Sequence, residues 1–439
     1  MIEEEIFRKT AAAVRSGGCE FRIFHGEKGE NGMKNLLVAQ SGGPTAAINA
    51  TLAGVFQGAV GSDQVDGIYG AVNGIQGVME ERFVDLRELL ASTREQDLLI
   101  QTPAAALGSC RLKLKNPAED PSDFEKIISV FRKHEIHYFI YIGGNDSMDT
   151  VDKLSAYVKA QGIEDIQVMG APKTIDNDLM GTDHCPGFGS AAKYIATTFA
   201  ELERDCHVYS VKAVTIVEVM GRNAGWLTAA SSLARLNGGE GPALIYLCEV
   251  PFDTEKFLQD VQEQLKIRDS VLVAVREGIH DAEGRYLSEQ TQSGATDNFG
   301  HSYIAGAAGV LEQLVRDRIG CKVRSIELNL MQRSAAHIAS AADLRESQML
   351  GRKACQCALE GKSGRMAAIR RISDDPYRIE LTDVPVSESA NAEKTVPEFW
   401  ITPDGNDVTS EMTAYLKPLI QGEVPVIFEN GIPRHIRLY

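Results

Sequence analysis

The densest polar stretch of the chain, "APKTIDNDLMGTDHCPGFGS" (Ala171–Ser190), carries two aspartates two positions apart, Asp176 and Asp178. In an extended segment both side chains would point the same way. One carboxylate could then accept a hydroxyl proton while the other helps hold Mg²⁺, directly or through water. Lys173, three residues before Asp176, adds a mobile cation suited to phosphate. An isolated D-x-D is more often a solvated acidic loop. This one follows directly on the apolar run "IQVMGA" (166–171), and that placement favours chemistry.

Other apolar runs also end in residues that could do chemistry. "AQSGGPTAAINA" (Ala39–Ala50) contains Gly42 and Gly43, which permit close backbone approach, and opens a helix whose free N–H groups suit an anion. "IGGNDSMDT" (Ile142–Thr150) repeats that pattern, yet places Asp146 where a negative charge would repel a nucleotide. "VEVMGRNAGW" (Val217–Trp226) offers Arg222, a planar fork for phosphoryl oxygens. Glu277 in "AVREGIHD" could accept hydrogen bonds from sugar hydroxyls. "VRSIELNLMQRSAAH" supplies Arg324 and Arg333, and "ALGSCRLK" supplies Arg111. One such arginine alone is more often a surface residue than a ligand. Jointly the residues describe phosphoryl transfer to a phosphorylated polyol, with metal, base and cations but no covalent nucleophile. "EGKSG" near Lys362 lacks the upstream glycine of a Walker motif, and "SGGPTA" does not supply the G-x-G-x-x-G of a redox dinucleotide turn.

These residues need a scaffold of strands and helices. Strand-like runs occupy 35–40, 138–142, 166–171, 213–220, 243–250 and 271–275. Helix-like segments lie between them at Thr45–Val60, Ser147–Gln161, Ser190–Asp205, Thr254–Ile267 and Ser302–Arg318. Apolar runs separated by helices predict a parallel, doubly wound α/β sheet, whose ligands sit at the carboxyl ends of the strands. From Arg370 onward the alternation fades, which predicts loops and short strands with one helix near Ser410–Leu419.

The 439 residues can bury a sizeable core, and 44% hydrophobic with 24% charged residues is ordinary for a soluble globular protein. With 45 Lys and Arg against 61 Asp and Glu, the formal net charge is −16, and no long basic run exists; nucleic acid and anionic membranes are poor partners. The eight cysteines form no C-x-x-C or zinc-like spacing and read as free thiols in a reducing cytoplasm. No apolar run is long enough to span a membrane or to serve as a signal peptide. Residues 1–32 are polar and weakly patterned, and Met33 looks like a second possible start.

The motifs "SGGPTAAINA", "GGNDS", "PKTIDND", "GTD", "GFGSA", "VEVMGR" and "REG", in this order over roughly residues 35–365, resemble the phosphofructokinase family. The resemblance implies two similar doubly wound α/β domains with the active site between them, in a homodimer or homotetramer. Its boundaries are an extension at 1–32, a phosphoryl-donor domain at 33–187 completed by part of 331–365, a sugar-phosphate domain at 188–330, and a carboxyl-terminal extension at 366–439. Asp176 falls on the family's catalytic base, flanked by Thr174 and Ile175. Asp178 is the carboxylate near the metal. Met220, Gly221 and Arg222 match the turn that contacts sugar and phosphoryl group, and Glu277 the carboxylate on the sugar. Arg324 and Arg333 match arginines on the 6-phosphate, while Gly43 and Arg111 face the donor phosphates. There are three departures. Asn145 stands where many members carry a metal-binding aspartate, and Leu330 where His or Tyr is frequent in the sugar-phosphate site. No arginine precedes "VEVMGR" in register, Lys212 being one position off.

Members that use ATP commonly carry glycine where this chain has Asp146 and Lys173, whereas those that use pyrophosphate resemble it at both. A carboxylate at Asp146 would take the space and charge of a nucleotide's α-phosphate, and Lys173 would neutralise pyrophosphate. The expectation is Mg²⁺-dependent, reversible phosphoryl transfer from pyrophosphate to the 1-hydroxyl of fructose 6-phosphate. An ATP-dependent enzyme is the nearest alternative. A non-catalytic regulatory subunit of the same fold is a further one, against which the intact "TIDND" and "MGR" argue.

Overall fold

The computed structural model describes residues 34–208, 210–221, 223–290 and 306–439. The leader, with its alternative start, and residues 302–305 of the helix expected from Ser302 lie outside the described residues. Strands β1 (Asn35–Gln40), β2 (Ile68–Ala71), β3 (Phe83–Asp85), β4 (Ile136–Gly143) and β5 (Gln167–Pro172) share one sheet. Strands β6 (Ala213–Val219), β7 (Leu244–Tyr246), β8 (Ser270–Arg276) and β9 (Lys322–Glu327) form a second. Strands β10 (Arg365–Asp374) and β11 (Tyr377–Pro385) return to the first, giving the order β11-β10-β5-β4-β1-β2-β3. There β10, β5, β4, β1 and β2 run parallel, and only the outermost pairings are antiparallel. The second sheet, β7-β8-β6-β9, is parallel throughout.

Both sheets are covered on two faces, so their central strands carry unbroken apolar runs. Leu36 and Val38 of β1 face the helices Ile48–Val60 and Ala341–Leu359, while Leu37 and Ala39 face Ser122–Lys133 and Asn145–Ala160. In the second sheet Val271, Val273 and Val275 pack on Thr254–Ile267 and Ala307–Arg318, and Leu272 and Ala274 on the side of Phe188–Cys206. Helices Ile48–Val60 and Ala341–Leu359 meet backbone to backbone. A Cβ on Gly54 would lie 2.1 Å from Gln348 O, and one on Gly351 2.1 Å from Thr51 O. Gly54→Ala therefore forces the helices apart and lowers stability by about 1–3 kcal/mol. A thermal melt checks this, and an unchanged Tm would contradict the packing.

The carboxyl-terminal region departs from the expected loops and short strands. Strands β10 and β11 are 10 and 9 residues long and complete the first sheet, because β5 offers a parallel edge at Met169 and Gly170. Val396, Met412 and Leu416 then pack into the core of the second sheet, and Leu438 returns to that of the first. The expected helix is present as Ser410–Leu416, followed by a 3₁₀ turn to Ile420. The apolar run at 243–250 forms a strand only over Leu244–Tyr246.

Candidate active site

Gly43, Asp146, Lys173 with the two aspartates, Gly221 and Glu277 follow the carboxyl ends of β1, β4, β5, β6 and β8, where a doubly wound sheet leaves its crevice. After β1 the chain turns at Gly42, whose φ of +79° suits glycine. Lys173 follows β5 and crosses to this turn, its Nζ donating to Gly43 O at 2.7 Å. Arg333 also reaches it, for a Cβ on Gly43 would lie 3.5 Å from Arg333 Nη1. Gly43, Lys173 and Arg333 therefore line one cradle.

Lys173 is only 3% exposed. Burial pushes its ammonium pKa down to about 8, although the charges of Asp178 and Asp176 pull it back up. Arg333 is lowered by burial and then by the neighbouring Arg111 charge, while Asp176 and Glu277 favour its cation. Two arginines and a buried lysine beside three carboxylates can bind anionic phosphate and still hold a base.

Asp176 and Asp178 do not lie on an extended segment, contrary to the reading from their spacing. Asn177 between them has φ +55°, a left-handed conformation that asparagine tolerates. Its buried amide fixes the turn, with Nδ2 donating to Tyr415 Oη at 3.2 Å and Oδ1 accepting from Cys185 N at 3.0 Å. Ahead of the pair, Asp176 N donates to Thr174 Oγ1 at 3.1 Å, and Ile175 is buried in the core of the second sheet. The Asp178 carboxyl is held above the ordinary carboxylate range, first by burial and then by the Asp176 charge. Further along, His184 sits between Asp183 and Glu346 at 2.7 Å from each, and Asp343 accepts from Gly187 N and Ser190 N. The helix Ala341–Leu359 thus clamps the loop that carries the aspartates.

Across the crevice, Glu277 follows β8 and accepts from Gly221 N at 2.8 Å. Burial pushes its carboxyl up to about 7; the Gly221 N–H and Arg276 oppose the shift. Gly221 has φ +137°, and a Cβ there would come within 2.4 Å of the buried Arg276 guanidinium, so only glycine fits this turn. Met220 beside it is packed against the core of the second sheet. Arg222 lies outside the described residues. For the free protein, kcat/KM should follow a bell: it rises through about pH 7 as Glu277 ionises and falls through about pH 8 as Lys173 loses its proton. A pH–rate series checks this, and Lys173→Met should abolish the alkaline limb.

Asp146 lies in the first turn of the helix Asn145–Ala160 behind Gly144, where such a helix presents its free N–H groups. Its carboxylate lies 3.5 Å from Lys113 Nζ, both side chains being about half exposed. Lys113 belongs to the quoted "ALGSCRLK" stretch, but spacing alone does not distinguish it from any exposed lysine. Asn145 donates through Nδ2 to Ala392 O at 3.0 Å. Among the described residues, Asn145 Oδ1 and Asp178 Oδ1 are buried without a hydrogen-bond partner.

Two expected residues are set apart. Arg324 is half exposed on the edge strand β9, where its ionic partner is Asp205 at 3.9 Å. Leu330, 54% exposed, heads the short helix Met331–Ser334, and Met331 is equally exposed. Neither is shown joined to the cradle of Gly43, Lys173 and Arg333.

Among the described residues no helix is long and apolar enough to cross a membrane. The phosphofructokinase family profile matches residues 35–358. Over 407 residues, 92% of this chain and 96% of its relative, the sequence is 41% identical to the pyrophosphate–fructose 6-phosphate 1-phosphotransferase of Xanthomonas campestris pv. campestris. The Methylococcus capsulatus protein of the same name is 40% identical over 408 residues, again 92% and 96% of the two chains. The crystal structure of the pyrophosphate-dependent phosphofructokinase from Marinobacter aquaeolei superposes with a TM-score of 0.81 at 39% identity, covering 92% of this chain and 95% of that one. With its two doubly wound sheets and the aspartate turn, glycine cradle and buried lysine between them, this chain belongs to the phosphofructokinase family.

Proposed function

We propose that this chain is a pyrophosphate-dependent 6-phosphofructokinase, reversibly transferring a phosphoryl group from pyrophosphate to the 1-hydroxyl of fructose 6-phosphate. The observation that carries the reading is Lys173, a buried ammonium held on Gly43 O beside Asp176 and Asp178. That arrangement suits a compact anion. It accords with the pyrophosphate dependence named for relatives that align over nearly their whole length.

In the forward direction Asp176 takes the proton of the 1-hydroxyl as that oxygen attacks the terminal phosphorus. The phosphoanhydride bond breaks, and phosphate leaves within the field of Lys173 and Arg111; Arg333, which the resemblance set on the 6-phosphate, stands close to Gly43 and is within reach of the same phosphate. Thr174, Met220, Gly221 and Glu277 orient the sugar, and the resemblance assigns Arg222 to the same task. Arg324 and Leu330 are assigned to the sugar-phosphate side, where a half-exposed β9 and Leu330 suit completion by a second copy in a homodimer or homotetramer. The reading places the enzyme in the cytoplasm, in keeping with its phosphorylated substrates.

The site also fits Mg²⁺. Asn145 Oδ1 and Asp178 Oδ1 are buried oxygens without partners, the hard donors this ion takes. Among the described residues no three His, Cys, Asp or Glu side chains converge on a metal, so substrate phosphate oxygens would complete the shell, as is usual for Mg²⁺. Bound there, the ion would neutralise the charge of the transferring phosphoryl group. The deciding experiment compares pyrophosphate with ATP as donor, in both directions. Faster turnover with ATP would end the pyrophosphate reading.

A further inference from the structure

Residues Asn391–Lys394 carry no recognisable motif, yet they touch the site from both sheets. On the first sheet's side, Asn391 Nδ2 donates to Asp149 Oδ1 at 3.0 Å, and Ala392 O accepts from Asn145 Nδ2 at 3.0 Å. Glu393 forms an antiparallel bridge with Leu179, and Lys394 N donates to Asp178 O at 2.7 Å. On the second sheet's side, the Glu393 carboxylate accepts from Asn223 Nδ2 at 3.0 and 2.9 Å, and Lys394 O accepts from Trp226 Nε1 at 2.9 Å. This short strap therefore grips the helix that opens at Asn145, the turn at Asp178 and the segment after β6.

Its hold on Asn145 has a chemical consequence. A carboxamide donates from one edge and accepts at the other. With Nδ2 committed to Ala392 O, Oδ1 is the oxygen left over, buried and without a partner among the described residues. An aspartate at this position would set a carboxylate oxygen against the Ala392 carbonyl, two acceptors with no proton between them. The strap thus accounts for the neutral residue. One position further along it brings a carboxylate of its own, beside the residue that follows Asp178.

We propose that Asn391–Lys394 is a positioning strap for the divalent-cation site: Ala392 O orients Asn145, and Glu393 returns the negative charge that asparagine withholds. This rests on the reading of Asn145 and Asp178 as the cation's protein oxygens. Glu393 acts through its field and through its hold on the strap, as the outer partners of metal ligands do.

The test measures the affinity for Mn²⁺ directly, by the electron paramagnetic resonance of the free ion, on the full chain with methylenediphosphonate bound. Glu393→Gln preserves shape and the reach to Asn223 but removes the charge. It should weaken Mn²⁺ binding roughly tenfold or more at unchanged Tm, while the charge-retaining Glu393→Asp stays near the parent. Asp178→Asn serves as the reference. If it weakens Mn²⁺ binding and Glu393→Gln does not, the strap proposal is overturned while the cation reading stands. If neither changes affinity, the assignment of the cation oxygens fails, and the proposal falls with it.

Discussion

Asp176→Asn should lower turnover by roughly 10²–10⁴-fold, the usual contribution of a positioned general base, while leaving the thermal melt nearly unchanged. The side chain keeps its size and loses only its ability to take a proton. Its neighbour should behave differently. Asp178 carries a buried oxygen without a partner among the described residues, and burial with the adjacent charge holds its carboxyl above the ordinary range. A bound cation would relieve both the burial and the repulsion, so Asp178→Asn should lose activity together with cation affinity. Steady-state kinetics beside direct Mn²⁺ binding separates the two. An Asp176→Asn protein of near-parental turnover would move the base elsewhere, with Asp178 the first candidate.

The second large effect concerns the donor. Lys173→Gly removes a buried ammonium that rests on the Gly43 carbonyl beside Arg333 and two aspartates. Breaking one partner of a buried charged cluster costs several kcal/mol, so kcat/KM for pyrophosphate should fall by roughly 10²-fold or more. Asp146→Gly should act on the competing donor. It clears a carboxylate from the first turn of the helix Asn145–Ala160, returning free N–H groups to an incoming phosphate, and it releases Lys113. ATP turnover should appear in Asp146→Gly and grow in the double variant as pyrophosphate turnover declines. The structure gives these residues separate partners, Gly43 for Lys173 and Lys113 for Asp146, so their effects should be nearly additive. If no variant admits ATP or weakens pyrophosphate use, donor choice lies with other residues.

What could be read in the sequence followed from strong local signals. Strand β1 and the helix Thr254–Ile267 fall where the apolar pattern places them, because each has an uninterrupted pattern and the helix has Asp253 as its cap. The pattern failed where tertiary contacts decide. The helix Ala341–Leu359 is built mostly of small and polar residues, and its burial goes with the close approach to Gly54. Strand β9 is half exposed and lacks a buried run. That Gly43, Lys173, Asp176, Asp178, Glu277 and Arg333 lie near one another was legible because each closely follows a strand or falls on a shared motif. The Asn177 turn was not, since alternation assumes extension, and neither was the strap, whose contacts with Asn145 and Asp178 use backbone groups far away in sequence, 247 residues for Asn145.

The return of β10 to the first sheet has a consequence for how the protein is made. Until residues 365–385 leave the ribosome, β5 remains an open parallel edge and the sheet bearing the lysine and both aspartates is unfinished. The second sheet, contained within residues 213–327, has all its strands well before then. Synthesis order and completion order are therefore reversed, and the amino-terminal half must wait, with one edge exposed to wrong partners, for nearly the whole chain to emerge.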